Sequence, residues 1–456
     1  MVRIRLLSGL LLLLLTVSCH RQEKKKAVPD LWQAPAARVL TADTTIRHPL
    51  RGDTSLSVMV YLPPACRPDT LLPLLLFFDP HGSGTLPLEH YRSLARRYGY
   101  ILAGSNSTRN GMDGKSIERV LRLTREDLLD LFPVDSRRFY AAGFSGGARV
   151  AALMALTDPT VRGVAACGGG LPATGNLPPV RFDLISFAGE EDFNLPELLQ
   201  LDASLAGQPC RHTFILFPGR HEWPPAGVFD DAFVWFDLNA MKDSLLPRNE
   251  EEIDTFVAEK TRRLRRAAGP LEKERLLQQL IAFLEGLRDT APYEKSLKEL
   301  RRSRAFRQAQ EDFNSLLLEE KGMEQYYMKH FGDRSFSWWR AEMDKLDRQA
   351  ARSDGERRAS LLRVKHFLSL VAYMQTERAL KEHRAEAGDH LALYRLLDPE
   401  NPDVWFFEAV MKAREGDTAA ARQALEKARE LGLSDAGRWR DWPVLAAMRN
   451  VRQAAK

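Results

Sequence analysis

The run Arg138-Phe139-Tyr140-Ala141-Ala142-Gly143-Phe144-Ser145-Gly146-Gly147-Ala148-Arg149 decides how the first half of the chain is read. An apolar stretch leads into G-x-S-x-G, and small residues follow it. The spacing has a physical cause. A serine at a sharp strand-to-helix turn sits in a strained backbone, and the turn closes only if its neighbours are tiny. The turn lifts the hydroxyl above the sheet. The helix that follows offers unpaired N–H groups and a favourable dipole to developing negative charge. A glycine-rich turn without chemistry carries the same letters, so the surrounding pattern must discriminate.

Working outward, short apolar runs alternate with helical stretches from about Thr54 to Leu246. Ser55 to Leu62 alternates and reads as an edge or early strand. Leu72 to Phe78 is continuously apolar, as in a strand buried on both faces of a parallel sheet. Tyr100 to Ala103, Phe139 to Gly143, Val161 to Ala166, Leu184 to Ala188 and Thr213 to Phe217 complete the set. Between them, Ile117, Val120, Leu121, Leu128 and Phe132 share one helical face, which Pro133 ends. This alternation predicts an α/β class, a doubly wound, mostly parallel sheet covered on both sides.

A serine hydroxyl is a poor nucleophile at neutral pH and needs a base. His221, in Phe217-Pro218-Gly219-Arg220-His221-Glu222-Trp223, follows the last expected strand, where an imidazole can swing over the sheet. The base in turn needs an orienting carboxylate. Gly189-Glu190-Glu191-Asp192 supplies three at the end of the preceding strand. Asp192 is preferred because such folds set the acid in G-x-x-D after a strand, with Glu190 and Glu191 as rivals.

Ser145, Asp192 and His221, in that order and each after a strand, resemble the α/β-hydrolase superfamily. Within it the likeness is to exported esterases related to feruloyl esterases, polyhydroxybutyrate depolymerases and dienelactone hydrolases, over roughly residues 54 to 246. The resemblance implies a serine hydrolase acting on a small or polymer-linked ester, without a cofactor. It also implies an oxyanion hole made by the backbone N–H of Gly146 and one from the loop Phe78-Asp79-Pro80-His81-Gly82-Ser83-Gly84. Ser83 is the expected donor and Gly82 the alternative, with His81 a structural loop residue. Ser105, Asn106 and Ser107, together with Asn110-Gly111, follow the fourth strand at the sheet's carboxyl edge and, with Trp223 beside His221, are expected to line the substrate site, although a plain turn-rich loop fits the serine and asparagine positions equally. The short Gly168-to-Pro179 loop stands where this superfamily often inserts a lid, which suggests an open cleft. A serine peptidase on the same triad, or a non-catalytic scaffold, remain the rival readings.

The chain has 456 residues, 66 Lys and Arg, 61 Asp and Glu, and a net charge of +5. That balance, with no basic stripe interleaved with aromatics, argues against a nucleic-acid partner. No metal-ligand cluster or phosphate-binding glycine loop is legible. At the N-terminus, Arg3 and Arg5 precede the apolar run Leu6 to Leu15, and Cys19 follows Thr16-Val17-Ser18. This resembles a bacterial lipobox and implies a signal peptide over 1–18, lipidation of Cys19 and a tether over 19–53. The tether lacks the acidic run some lipoproteins use for surface export, so the expectation is a membrane-anchored protein facing the periplasm. Of the remaining cysteines, a Cys66–Cys210 disulfide is not expected, because the strands after them are not neighbours in the superfamily's order.

From Asn249 onward Pro and Gly thin out and charged helical periodicity takes over, with Asn249 a helix cap before Glu250-Glu251-Glu252. A helical domain over 249–456 is expected. Trp405, Ala409, Gly416-Asp417, Ala421, Leu425 and Ala428 resemble a tetratricopeptide-like helix–turn–helix. Such a repeat implies a protein- or glycan-binding surface, and a stabilising appendage fits as well. Trp338-Trp339 reads as core.

Overall fold

The computed structural model describes residues 42–67, 69–172, 179–433 and 442–448. Cys19, the leader, most of the tether and residues 173–178 of the Gly/Pro-rich loop lie outside them. Eight strands form one sheet: β1 (Thr44–Leu50), β2 (Asp53–Leu62), β3 (Leu72–Phe78), β4 (Ile101–Ser105), β5 (Val134–Phe144), β6 (Val161–Cys167), β7 (Asp183–Gly189) and β8 (His212–Phe217). Their order is β1-β2-β4-β3-β5-β6-β7-β8. The β1–β2 and β2–β4 pairs are antiparallel and every other pair is parallel.

Helices cover both faces. They are α1 (Thr85–Tyr98), α2 (Gly114–Leu131), α3 (Gly146–Thr157), α4 (Leu195–Ser204) and α5 (Ala226–Lys242). The continuous apolar run of β3 now has its explanation. Leu74, Leu76 and Phe78 enter the core shared with α2, α3 and α4. Leu75 and Phe77 enter the opposite core, with Tyr91 of α1 and Phe229 and Phe233 of α5. Each such side chain, fully removed from water, stabilises the fold by about 1.5–3 kcal/mol.

The sheet begins before Thr54. The sequence reading missed β1 because Arg47, His48 and Pro49 break its apolar pattern. Those residues suit an edge strand, where one side needs no ladder partner. Register shifts between Pro49 and Leu50, and the side chains of His48 and Arg51 tie this edge to buried Asp127 of α2 at 2.9 and 2.7 Å.

The remaining helices are α6 (Glu250–Arg266), α7 (Pro270–Leu284), α8 (Ala291–Arg302), α9 (Arg304–Met328), α10 (Phe336–Ala351), α11 (Gly355–Lys381), α12 (Ala387–Leu397), α13 (Pro402–Arg414) and α14 (Thr418–Glu430). Asn249 caps α6 as expected, its side chain accepting from the Glu252 N–H. The boundary expected there is corrected. Ile253 and Phe256 of α6, and Leu280, Phe283 and Leu284 of α7, fill the same core as Tyr91 and Phe233. The Gln279 amide donates to the Phe214 carbonyl of β8 at 3.0 Å. The periodicity of α6 and α7 reveals an apolar face, but not the partner that covers it.

A separate core joins α9 to α14. Trp339 lies in it and Trp338 packs against it. α13 and α14 form a hairpin turned at Gly416 (φ 81°), with Asp417 capping α14 through the Ala420 N–H and Ala409, Ala421, Leu425 and Ala428 buried. Among the described residues, no helix is long and apolar enough to cross a membrane. Cys66, Cys167 and Cys210 are free thiols.

Candidate active site

β5 runs straight into α3 through Ser145, whose φ of 54° and ψ of −119° are rare for a residue bearing a side chain. The glycines around it are obligatory. A β-carbon on Gly143 would lie 2.1 Å from the Gly147 carbonyl oxygen, and one on Gly147 would lie 2.0 Å from that of Phe78. The Ser145 N–H is anchored on the Cys167 carbonyl of β6 at 2.8 Å. The hydroxyl therefore stands at the carboxyl edge of the sheet, where β7 and β8 also end.

The three residues expected to act together do converge. His221 Nε2 lies 3.0 Å from Ser145 Oγ, and its Nδ1 lies 2.9 Å from Asp192 Oδ1. Asp192 is 1% exposed and His221 sits between Phe144 and Phe193, with ring centroids at 4.6 and 4.3 Å. With carboxylate oxygen accepting, Nδ1 carries the proton and Nε2 is left to accept from the serine. Asp192 Oδ1 also accepts from the Asn194 N–H at 2.8 Å, and Gly168 (φ 57°) lets the backbone pass close to both side chains. The rival acids turn elsewhere: Glu191 pairs with Arg358 at 3.2 Å, and burial pushes the Glu190 carboxyl above its ordinary value.

Gly146 occupies the first position of α3, where an N–H has no intrahelical acceptor. The Ser83 donor is corrected. Ser83 is buried and its N–H donates to Asp79 Oδ1 at 3.3 Å. The Gly82 N–H is held by the Asp79 carbonyl, the His81 N–H by the Asp79 carboxylate and the Gly84 N–H by Asn106 Oδ1. The loop turns around Asp79, a carboxylate that competes for its donors, and letters alone do not reveal that inward geometry.

The lining expectations also need correction. Ser105 is wholly buried and its Oγ accepts from the Ser107 and Thr108 N–H groups. Asn106 is used on both ends, accepting from Gly84 and donating to Ser57 Oγ at 3.1 Å. Trp223 lies under the site, donating to Asp79 Oδ2 at 3.2 Å and edging Phe77 and Tyr91. These polar groups brace loops because a buried turn has to satisfy its own N–H groups. The side chain that does reach the Ser145 turn is Asn110: a β-carbon on Gly146 would lie 1.8 Å from its Oδ1. The Asn110 N–H donates to the Pro80 carbonyl at 2.9 Å, joining the two loops.

A cleft of about 560 Å³ lies above Ser145 and is about half open to solvent. Pro80, His81, Asn110, Phe144 and Phe193 form its floor, and His366, Ser369, Leu370 and Tyr373 of α11, with Asp398 and residues 400–403, form its roof. Helices supplied much later in the chain thus line one side of the cleft. Among the described residues, no group of three His, Cys, Asp or Glu side chains is placed to hold a metal ion.

No family model and no curated protein matches the chain. Solved structures align with it weakly. An S-formylglutathione hydrolase from Agrobacterium tumefaciens is 15% identical over 43% of this chain and 96% of its own, with a TM-score of 0.35. A fluorophosphonate-binding serine hydrolase from Staphylococcus aureus is 15% identical over 42% and 97%, with a TM-score of 0.35. An esterase from Pyrobaculum calidifontis is 15% identical over 39% and 76%, with a TM-score of 0.33. The strand order, the antiparallel β2 and the helices on both faces give this chain the α/β-hydrolase fold, continued by a helical region.

Proposed function

We propose that the protein is a serine hydrolase that cleaves carboxylic esters through an acyl-enzyme. The observation that carries this reading is the unbroken chain from Ser145 Oγ to His221 at 3.0 Å and from His221 to Asp192 at 2.9 Å, on a backbone strained at the serine.

In this reading His221 Nε2 takes the Ser145 proton as Oγ attacks the ester carbonyl. Asp192 fixes the imidazole tautomer and stabilises its cation. The tetrahedral oxyanion is held by the Gly146 N–H and, with the loop N–H groups engaged elsewhere, by the side-chain amide of Asn110. Only the NH2 end of that amide can donate, so this role has Nδ2 directed at the oxyanion. His221 then gives the proton to the departing alcohol, and a water activated by the same imidazole releases the acid. No step needs a cofactor.

A membrane-anchored, periplasm-facing site of action, through a lipid on Cys19, completes the proposal; it is supported by the lipobox-like Leu-rich leader. A tetratricopeptide-like α13–α14 pair as a surface for a protein or glycan partner is supported by its small-residue packing.

The test is hydrolysis of a short-chain p-nitrophenyl ester by the protein and by Ser145→Ala, beside labelling with an alkyl phosphonate. Turnover and labelling that both vanish in the variant establish the serine ester hydrolase. A folded wild-type protein that neither turns over nor labels sinks the reading. A lipid mass on mature Cys19 tests the anchor separately.

A further inference from the structure

Asp192 sits at the tip of a loop whose two preceding carbonyls are gripped by a helix from the far end of the chain. Arg363 of α11 donates from Nη1 to the Glu190 carbonyl oxygen at 2.6 Å. One turn on, His366 Nδ1 lies 2.9 Å from the Glu191 carbonyl oxygen. A carbonyl only accepts, so His366 Nδ1 carries a proton there. Arg358 meets the Glu191 carboxylate from the same helix at 3.2 Å. On the hydrolase side the loop has its own anchors, the Glu190 and Glu191 N–H groups donating to the Phe217 and Gly219 carbonyls at 2.9 Å each. The N–H side of the segment is thus held by β8 and its loop, and the carbonyl side by α11.

Arg363 is unusual in its surroundings. It is 0% exposed, and its guanidinium meets Glu320 of α9, 1% exposed, at 2.7 Å. Ser360 Oγ adds a further bond to Glu320 at 3.0 Å. Replacing a buried ion pair with apolar residues is often neutral or better for stability, so such a pair is weak evidence for a stabilising role. What this pair does is hold a guanidinium rigidly, with one N–H face left for the acid loop. The planar fork allows both jobs at once, which a lysine does not.

We propose that Arg363, locked by Glu320, is a positioning residue that sets Asp192 against His221, so that the helical half is a working part of the catalytic centre. The inference rests on the serine-hydrolase reading given above. Its energetic basis is that orientation errors of about 1 Å in a catalytic group cost on the order of a hundredfold in rate.

The test is a cycle on the full chain. The paired substitution Arg363→Met with Glu320→Leu removes both buried charges together, which keeps the helical core neutral. It is measured in the wild-type and Asp192→Asn backgrounds, with thermal melts confirming that each protein is folded. We expect kcat to fall by about tenfold to a hundredfold, with KM changed less than about twofold, and almost no further loss in the Asp192→Asn background. Arg363→Lys is expected to recover only part of the rate. Unchanged kcat, or the same loss whether or not Asp192 is intact, overturns the positioning role while leaving the serine hydrolase standing. A folded wild-type protein that neither turns over ester nor labels with phosphonate overturns both.

Discussion

The carbonyl oxygen of Phe78, at the end of β3, occupies the space that a side chain on Gly147 would need, 2.0 Å from the would-be β-carbon. The Ser145 turn and the neighbouring strand are thereby locked in one geometry. Gly147→Ala forces backbone against backbone, and the melting temperature is expected to fall by several degrees or more, with loss of phosphonate labelling. Gly227, near the start of α5, has open space around it. Gly227→Ala is expected to be neutral or to stabilise by about 0.4–1 kcal/mol, since alanine restricts the unfolded chain more. Parallel thermal melts of the two variants check both.

Asp192→Asn keeps the shape of the acid but presents a group that no longer fixes the imidazole tautomer. A fall in kcat on the order of 10³–10⁴-fold, with little change in KM, is expected for ester hydrolysis. A loss smaller than about tenfold would transfer the role to another carboxylate, and Glu190→Gln and Glu191→Gln measured alongside would identify it.

Asn110 tests the proposed oxyanion hole, and Ser83 serves as a control for the packing of the neighbouring loop. Asn110→Ala is expected to lower kcat by about a hundredfold, the usual consequence of losing one donor to the oxyanion. Asn110→Asp should be worse, because a carboxylate repels the developing charge. Ser83→Ala leaves the backbone N–H in place and is expected to change kcat less than about threefold. Steady-state kinetics on one p-nitrophenyl ester decide the matter.

Asp237 of α5 is buried and accepts the Tyr100 hydroxyl at 2.6 Å. Burial raises its carboxyl from 3.8 to about 7, partly opposed by that hydrogen bond. Between those two values the folded chain keeps a proton that the unfolded chain has released. Stability from this group is therefore full below about pH 4 and is lost as pH rises through about 7. Asp237→Asn should flatten that slope, seen as a smaller drop in melting temperature between pH 5 and pH 8 than in the wild-type protein.

Seven of the eight strands were legible in the sequence, β2 by its alternation and the others because strands buried on both faces are written as mostly apolar runs, as in Leu72–Phe78. β1 was not, since an edge strand tolerates Arg47, His48 and Pro49. Ser145, His221 and Asp192 were legible as residues that follow strands at one edge of a sheet. Asn110 was legible only as one polar residue of the stretch after the fourth strand, with nothing to mark it out from Ser105 or Asn106. An asparagine before a glycine reads as a turn, and only the folded loops bring its amide over Gly146.

The sequence by itself determined the alternation of strand and helix, the strained turn at Ser145 and the cap at Asn249. All of these are local: they follow from hydrophobic period, glycine spacing and capping chemistry within a few residues. The tertiary structure alone decided what covers each apolar face and where each buried polar group finds its partner. It turned the Ser83 N–H inward to Asp79, laid α6 and α7 on the sheet, and set Arg363 against the Glu190 carbonyl across 173 residues of chain. Periodicity records that a face must be buried, and a buried donor must be satisfied, but the partner is chosen only when distant segments close on one another.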